Sequence, residues 1–300
     1  LAKGGRPAGP DGLAVVDKEA GWTSHDVVAK ARGLLGTRKV GHSGTLDPDA
    51  TGVLLLGVGK VTRLLRYLGL PSKTYTGVVV LGTATSTLDA SGEVTGTWDM
   101  AGVGLAEVRA AAVPLTGDIL QVPPMVSAIQ IDGRRLHELA REGIEVERAA
   151  RPVTVHAFTV DEPVAEGCFP IEVTCSSGTY IRSLAADLGT ALGGGAHLRD
   201  LRRTAIGPFT VADAVTLEAL GPDHLRTPAE AMGDLASVVV GDDVAVAVGH
   251  GKVLPCDALG VAGTGPWAVL DAAGSLLAVY EAHRSGTAKP AVVLAAAGQP

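Results

Sequence analysis

Three hundred residues with 46% hydrophobic content suffice for one sizeable core and a small second domain, and no run of about 18 apolar residues offers a membrane span. Cys168, Cys175 and Cys256 show no CxxC or Cys/His spacing, so neither a disulfide framework nor a zinc site is expected, and a reducing cytoplasm is the simplest location. The net charge of −7 argues against a nucleic-acid partner only until it is located: residues 1–210 carry 21 Lys+Arg against 22 Asp+Glu, whereas residues 211–300 carry 4 against 10. The basic residues cluster in the first part, as Arg38/Lys39, Lys60/Arg63/Arg66, Arg134/Arg135 and Arg199/Arg202/Arg203. Such clusters are usually solvated faces, but they also match what a phosphate backbone requires.

Residues 1–12, rich in Gly, Pro, Lys and Arg, read as a disordered tail. Thr23 to Asp26 has capping-box form ahead of Val27, Val28, Ala31, Leu34 and Leu35, spaced for one apolar helix face. Lys60 to Leu68 reads as a helix with Leu64, Leu65 and Leu68 inward and Arg63 and Arg66 outward. Strands are expected at Thr74–Leu81, Pro152–Val160 and Ile171–Cys175, and a helix through Ile181, Leu184, Ala185, Leu188 and Leu192. Pro222–Leu235 reads as a connector containing a helix. Beyond it, short valine-rich runs including Val238–Val240, Val244–Val248, Trp267–Leu270, Leu276–Tyr280 and Ala291–Leu294 suggest a small all-β unit, with a boundary near 233–237. Strands mixed with helices give an α+β class for the whole.

Generic nucleotide and hydrolase signatures fail. Gly57-Val-Gly59-Lys60-Val-Thr62 lacks phosphate-loop spacing, and GxGxxG, HExxH and GxSxG are all missing. The densest local signal is Gly41-His42-Ser43-Gly44-Thr45-Leu46-Asp47-Pro48-Asp49-Ala50-Thr51-Gly52-Val53-Leu54, whose glycines and proline make a tight loop that presents Asp47 and His42. On chemistry alone, Asp-Pro in a loop is most often a turn.

That string resembles the signature GHxGTLDPxATGxL of the TruB-type bacterial tRNA pseudouridine synthases, and further strings resemble other elements of the family in order. They are Val16–Ser24 (VDKEAGWTS), Lys73–Tyr75, Thr85–Gly92, Pro124–Ala128 with Gly133–Leu136, Ser177–Leu184 (SGTYIRSL) and Ala196–Arg203. The resemblance covers residues 13 to about 215. It implies a pseudouridine-synthase fold over 13–233, with a mixed, largely antiparallel sheet, flanking helices and an RNA-gripping insertion at about 118–150. A small all-β PUA-like domain over 237–297 would follow.

The implied activity isomerises the uridine at position 55 in the T arm of tRNA, without metal, cofactor or obligate protein partner. In this reading Asp47 is the catalytic carboxylate, Arg182 the cation that keeps it charged, and Tyr75 the ring beside the target base. Tyr180 and Leu201 would wall the pocket, and His42 would fill the space left when the uridine is flipped out. Lys18, Arg134 and Arg135 would contact phosphates. The chain departs from the family pattern at Glu19, where Pro is usual, at Ser86, where Asp is usual, and at Gln130 and His137, where Lys and Tyr are common. The rival readings are a guide-RNA-dependent, dyskerin-like scaffold and a non-catalytic RNA-binding or RNA-folding module. A glycoside hydrolase using Asp47 is disfavoured, because no second carboxylate stands out as its acid.

Overall fold

The computed structural model describes residues 9–127, 129–131 and 133–294, with Arg135 and His137 described in their backbone alone. Residues 1–8 of the expected tail, and 295–297 at the end of the expected β domain, lie outside the described residues. Contacts divide the chain into two compact units: Leu1–Asp47 with Val53–Leu70 and Ala212–Pro300, and Pro48–Gly52 with Pro71–Val211.

In the first unit, β1 (Gly12–Lys18) precedes helix α1 (Ser24–Leu34), and β2 (Val40–Ser43) forms an antiparallel hairpin with β3 (Thr51–Val58), whose residues from Val53 onward belong to this unit. Thr23 caps α1: its hydroxyl accepts from the Asp26 amide while Asp26 accepts from the Thr23 amide, as the sequence predicts. Val27, Val28, Ala31 and Leu35 pack on Ala14, Val16, Leu54, Leu56 and Val58. Val53 and Leu55, on the opposite face of β3, are also buried. A strand covered on both faces needs apolar side chains throughout, which accounts for the unbroken run from Val53 to Leu56. The expected helix at Lys60–Leu68 is a 3-10 segment, Gly59–Leu64, continued by one α turn, Leu65–Leu68.

The C-terminal part of this unit is a five-stranded sheet in the order Ala236–Val239, Trp267–Leu270, Leu276–Ala282, Thr287–Val293 and Leu254–Pro255. One valine run is not a strand. Val244–Val248 lies in the helix Asp242–Gly249, where Val244, Ala245 and Val248 face the core and Val246 is 61% exposed. Valines at every second position imitate a strand, but Asp242 and Asp243 in the first turn suit the positive end of a helix. Arg63 donates to the Val293 carbonyl at 2.6 Å, and Arg66 and Tyr67 each bond Glu281 at 2.7 Å, so the two arginines expected to point outward tie the Gly59–Leu68 segment to this sheet.

The second unit is built on an antiparallel sheet in the order Ala196–Ile206, β4 (Lys73–Leu81), Cys168–Cys175, Arg151–Val160 and Gly117–Gln121. The alternating burial of β4 follows from one covered face. The helix Ile181–Ala191 packs on the Ala196–Ile206 strand with Ile181, Leu184, Ala185 and Leu188 buried. Thr51 and Gly52 run parallel to that strand, opposite Arg202 and Arg203. The class is α+β, with a mixed sheet and a C-terminal β domain, as expected.

Candidate active site

Asp47 sits in the loop between β2 and β3, and its neighbour Leu46 fixes where it lies. The Ser24 hydroxyl, at the start of α1, accepts from the Leu46 amide at 2.9 Å and donates to the Leu46 carbonyl at 3.2 Å. Both ends of one peptide residue are thereby held by a buried side chain, and Gly44 supplies the positive φ of +73° that the turn requires. Leu46 is buried and Asp47, the next residue, is half-buried. His42 lies on β2 opposite Leu56, with its ring edge-on to His25 at 5.2 Å between centroids.

Lys18, expected at a phosphate, has another task. It is 1% exposed, and its ammonium donates to the carbonyls of Glu19 (2.9 Å) and Trp22 (2.7 Å), closing the turn that leads to the α1 cap. An ammonium sunk this far is not presented to a phosphate backbone. The same turn accommodates Glu19, where the family pattern has proline.

In the second unit, Arg182 is the second residue of the helix Ile181–Ala191 and is 3% exposed. Its guanidinium donates to the Thr87 carbonyl (2.7 Å) and the Val126 carbonyl (2.9 Å), and its Nε stands 3.6 Å from an Asp89 carboxylate oxygen. Asp89 is held in turn by the hydroxyls of Thr87 and Ser91, each at 2.6 Å. Nothing in the spacing singles out Asp89 as a partner of Arg182; only the fold joins positions 93 residues apart. Ser86, standing where the family pattern has Asp, accepts from the Glu93 amide at 3.1 Å and so braces the same turn.

Tyr180 is the N-cap residue of this helix and makes no cap bond through its own side chain. Gln121, 2% exposed at the end of its strand, supplies the anchoring instead: its carboxamide accepts from the Tyr180 amide (2.8 Å) and donates to the Tyr180 carbonyl (3.1 Å). Leu201 lies where the Ala196–Ile206 strand breaks register with β4 between Arg199 and Arg202, beside Asp200 at a φ of +57°. A bulge of this kind turns a side chain away from its ladder position. Arg134 lies on a two-residue hairpin, half-exposed and ion-paired with Glu142. The side chains of Arg135 and His137 lie outside the described part.

Tyr75, on β4, is 8% exposed, and the Arg203 guanidinium stands 6.0 Å over its ring centroid. Lys73, two residues before, is buried too; loss of hydration, with the nearby Arg203 charge, pulls its ammonium down to about 8. Burial pushes the Cys175 thiol, opposite Lys73 on the neighbouring strand, up to about 11. Thus Lys18, His42 and Asp47 belong to the first unit, and Tyr75, Arg134, Tyr180, Arg182 and Leu201 to the second. Among the described residues no cluster of His, Cys, Asp or Glu could hold a metal ion, and no described helix is long and apolar enough to cross a membrane.

The TruB family pseudouridylate synthase N-terminal domain profile matches residues 32–181, and the tRNA pseudouridylate synthase B C-terminal domain profile matches residues 182–246. The chain is 50% identical over 277 residues to the tRNA pseudouridine synthase B of Rhodococcus jostii, covering 90% of each chain. It is 48% identical to that of Thermobifida fusca, covering 95% of this chain and 99% of the other. Among solved structures, one from a Cbf5-Nop10-Gar1 complex superposes with a TM-score of 0.73 at 28% identity, over 92% of this chain and 80% of that one. One from an H/ACA RNP bound to a substrate RNA shares the fold, with a TM-score of 0.71 at 24% identity over 98% of this chain and 91% of that one. With both profiles falling on the strings that carry Asp47, Tyr75 and Arg182, the chain belongs to the TruB family of pseudouridylate synthases and is an isomerase.

Proposed function

We propose that this enzyme converts the uridine at position 55 in the T arm of tRNA to pseudouridine, with Asp47 as the catalytic carboxylate. The observation that carries this reading is the double hold of Ser24 on Leu46, which presets the loop before any RNA arrives. Relatives of nearly the same length, at about half identity, bear the name tRNA pseudouridine synthase B.

The reaction breaks the N1–C1′ bond of uridine, turns the base and forms a C5–C1′ bond, with C5 giving up its proton and N1 taking one up. No atoms are gained or lost and nothing is oxidised or reduced, so the balance calls for no co-reactant. A carboxylate serves because it is charged at neutral pH, nucleophilic, and able to leave again. Attack at C1′, attack at C6 and a glycal route all begin from this group. Arg182 supplies positive charge that favours an ionised carboxylate, held rigid by Thr87 and Val126. Tyr75 flanks the base, Tyr180 and Leu201 wall it, and His42 fills the stack that the flipped uridine leaves, at a cost of a few kcal/mol. Arg134 and Arg135 grip backbone phosphates. The catalytic domain takes residues 13–233, with the RNA-gripping insertion at about 118–150, and a PUA-like domain takes 237–297. The enzyme works in the cytoplasm, where its three free thiols persist.

The test is to incubate the purified, EDTA-treated protein with a T-arm hairpin alone and map pseudouridine. One modified position, at 55, is the expected outcome. Product only after a guide RNA and partner proteins are added would favour the arrangement of the Cbf5-type neighbours. Binding without product would favour an RNA-folding module.

A further inference from the structure

Arg203 has no exposed surface and is the largest of the fully buried side chains. Holding a guanidinium there is costly, and Lys73 lies near enough to add like-charge repulsion. Simple space-filling would be met at lower cost by Met or Leu. What distinguishes Arg203 is its position in the sheet. One rung runs Gly52–Arg203–Tyr75: Arg203 pairs in parallel with Gly52 and in antiparallel fashion with Tyr75.

The rung is tight on its Gly52 side. Gly52 has a φ of +101°, and a Cβ built on it would collide with the Arg203 carbonyl oxygen, so this strand and the Ala196–Ile206 strand approach as only glycine allows. On the other side the Arg203 guanidinium stands over the Tyr75 ring. Gly52 follows Asp47 by five residues, and in the adjacent rung Arg202 donates to the Thr51 hydroxyl at 3.3 Å.

We infer that Arg203 is a positioning residue for the isomerisation: its backbone anchors the chain leaving the Asp47 loop, and its guanidinium holds the Tyr75 ring from one side. The flat cation suits the ring face and favours one orientation of the ring when a base arrives. This inference rests on the proposed roles of Asp47 and Tyr75 in the site.

The test uses the full chain as Arg203→Lys, which keeps charge and loses the plane, and as Arg203→Met, which keeps length and loses both. Single-turnover rates and KM on the T-arm hairpin are measured, with the Tyr75 ring followed by NMR of ring-labelled tyrosine. Expected are a shifted or broadened Tyr75 resonance in both variants, a single-turnover rate lowered roughly five- to thirtyfold, and a KM within about twofold of the parent. An unshifted Tyr75 resonance overturns the inference, as does a rate within twofold of the parent in both variants. Failure of both variants to fold, or a rise in KM matching the loss of rate, assigns Arg203 a structural role only and overturns it too. If the parent itself leaves the hairpin unmodified, the proposed function fails, while the NMR comparison still decides whether Arg203 holds the ring.

Discussion

The clamp of Gln121 on Tyr180 makes a sharp claim about how the helix carrying Arg182 is held. Gln121→Met keeps the volume of a buried side chain and removes both of its bonds. The Tyr180 carbonyl keeps the Leu184 amide as donor at 3.2 Å, so its loss is modest, about 1 kcal/mol. The Tyr180 amide loses an acceptor at 2.8 Å inside the protein, which costs about 1–3 kcal/mol. Opening of the first turn of the helix should therefore become easier by about 2–4 kcal/mol.

A chain with two compact units need not unfold in two states, so a global melting curve is the wrong readout. Native-state hydrogen exchange at the Tyr180 amide reads the clamp directly, and even the smaller amide contribution speeds it roughly 5- to 150-fold. Isomerisation should fall by about tenfold or more, because Arg182 follows Tyr180 by two residues and small misplacements of a charged group are expensive in rate. Gln121→Glu separates geometry from volume. It keeps an acceptor for the amide but sets a carboxylate oxygen against the Tyr180 carbonyl, so the neutral form is favoured and the folded-state pKa is raised. Its stability should be present at low pH and lost as pH rises through that value. Unchanged exchange at Tyr180 in Gln121→Met would refute the reasoning.

Asp47→Asn should abolish isomerisation while leaving hairpin affinity within a few-fold; more than a few per cent of parental activity, in a preparation free of host enzyme, would sink the catalytic assignment. Lys73, with its ammonium at about 8 in the fold against an ordinary 10.5, binds its proton more tightly when unfolded, so this group alone should add about 1 kcal/mol between pH 8 and 9. The Cys175 thiol, raised to about 11 from an ordinary 9, works in the opposite direction as pH nears and passes 9 and takes back roughly a third of that gain; Lys73→Met should therefore remove the net gain between pH 8 and 9, and denaturation midpoints at those two pH values check it. Arg134→Ala should lower the slope of log K against log[salt] for the hairpin by roughly one unit, and Glu142→Gln, which frees Arg134, should tighten binding at low salt. A slope unmoved in Arg134→Ala would show that this arginine does no more than solvate its hairpin.

Sequence reasoning succeeded where a few adjacent residues decide the outcome. The Thr23–Asp26 box starts α1 because donor and acceptor lie three residues apart, and the β4 alternation shows because one face is covered. It misread Val244–Val248, since alternating valines carry the period of a strand while the acidic first turn and the burial of Val248 select a helix. The supports of the candidate site were hidden for a different reason. Ser24 meets Leu46 across 22 residues, Gln121 meets Tyr180 across 59, and Arg182 meets Thr87 across 95. No periodicity or local spacing reports contacts at such separations; they exist only once the sheet has closed.

Charge shows the same limit and bears on how an acidic protein holds RNA. Counted along the chain, residues 1–210 are nearly neutral and rich in basic clusters. In the fold, many of those cations are committed to protein. Lys18, Lys73, Arg182 and Arg203 are buried, Arg66 bonds Glu281, Arg63 bonds the Val293 carbonyl, and Arg134 pairs with Glu142. An exposed pair such as Arg134–Glu142 holds by about 1 kcal/mol or less, so an approaching phosphate can exchange for the carboxylate. A pair of buried groups cannot be exchanged in this way without opening the core. The electrostatic grip on RNA therefore falls to the cations left at the surface, such as Arg38, Lys39 and Arg141, and to those whose partners are exposed and replaceable, and the Arg134–Glu142 pair is one place where binding should be tuned by a carboxylate rather than by adding an arginine.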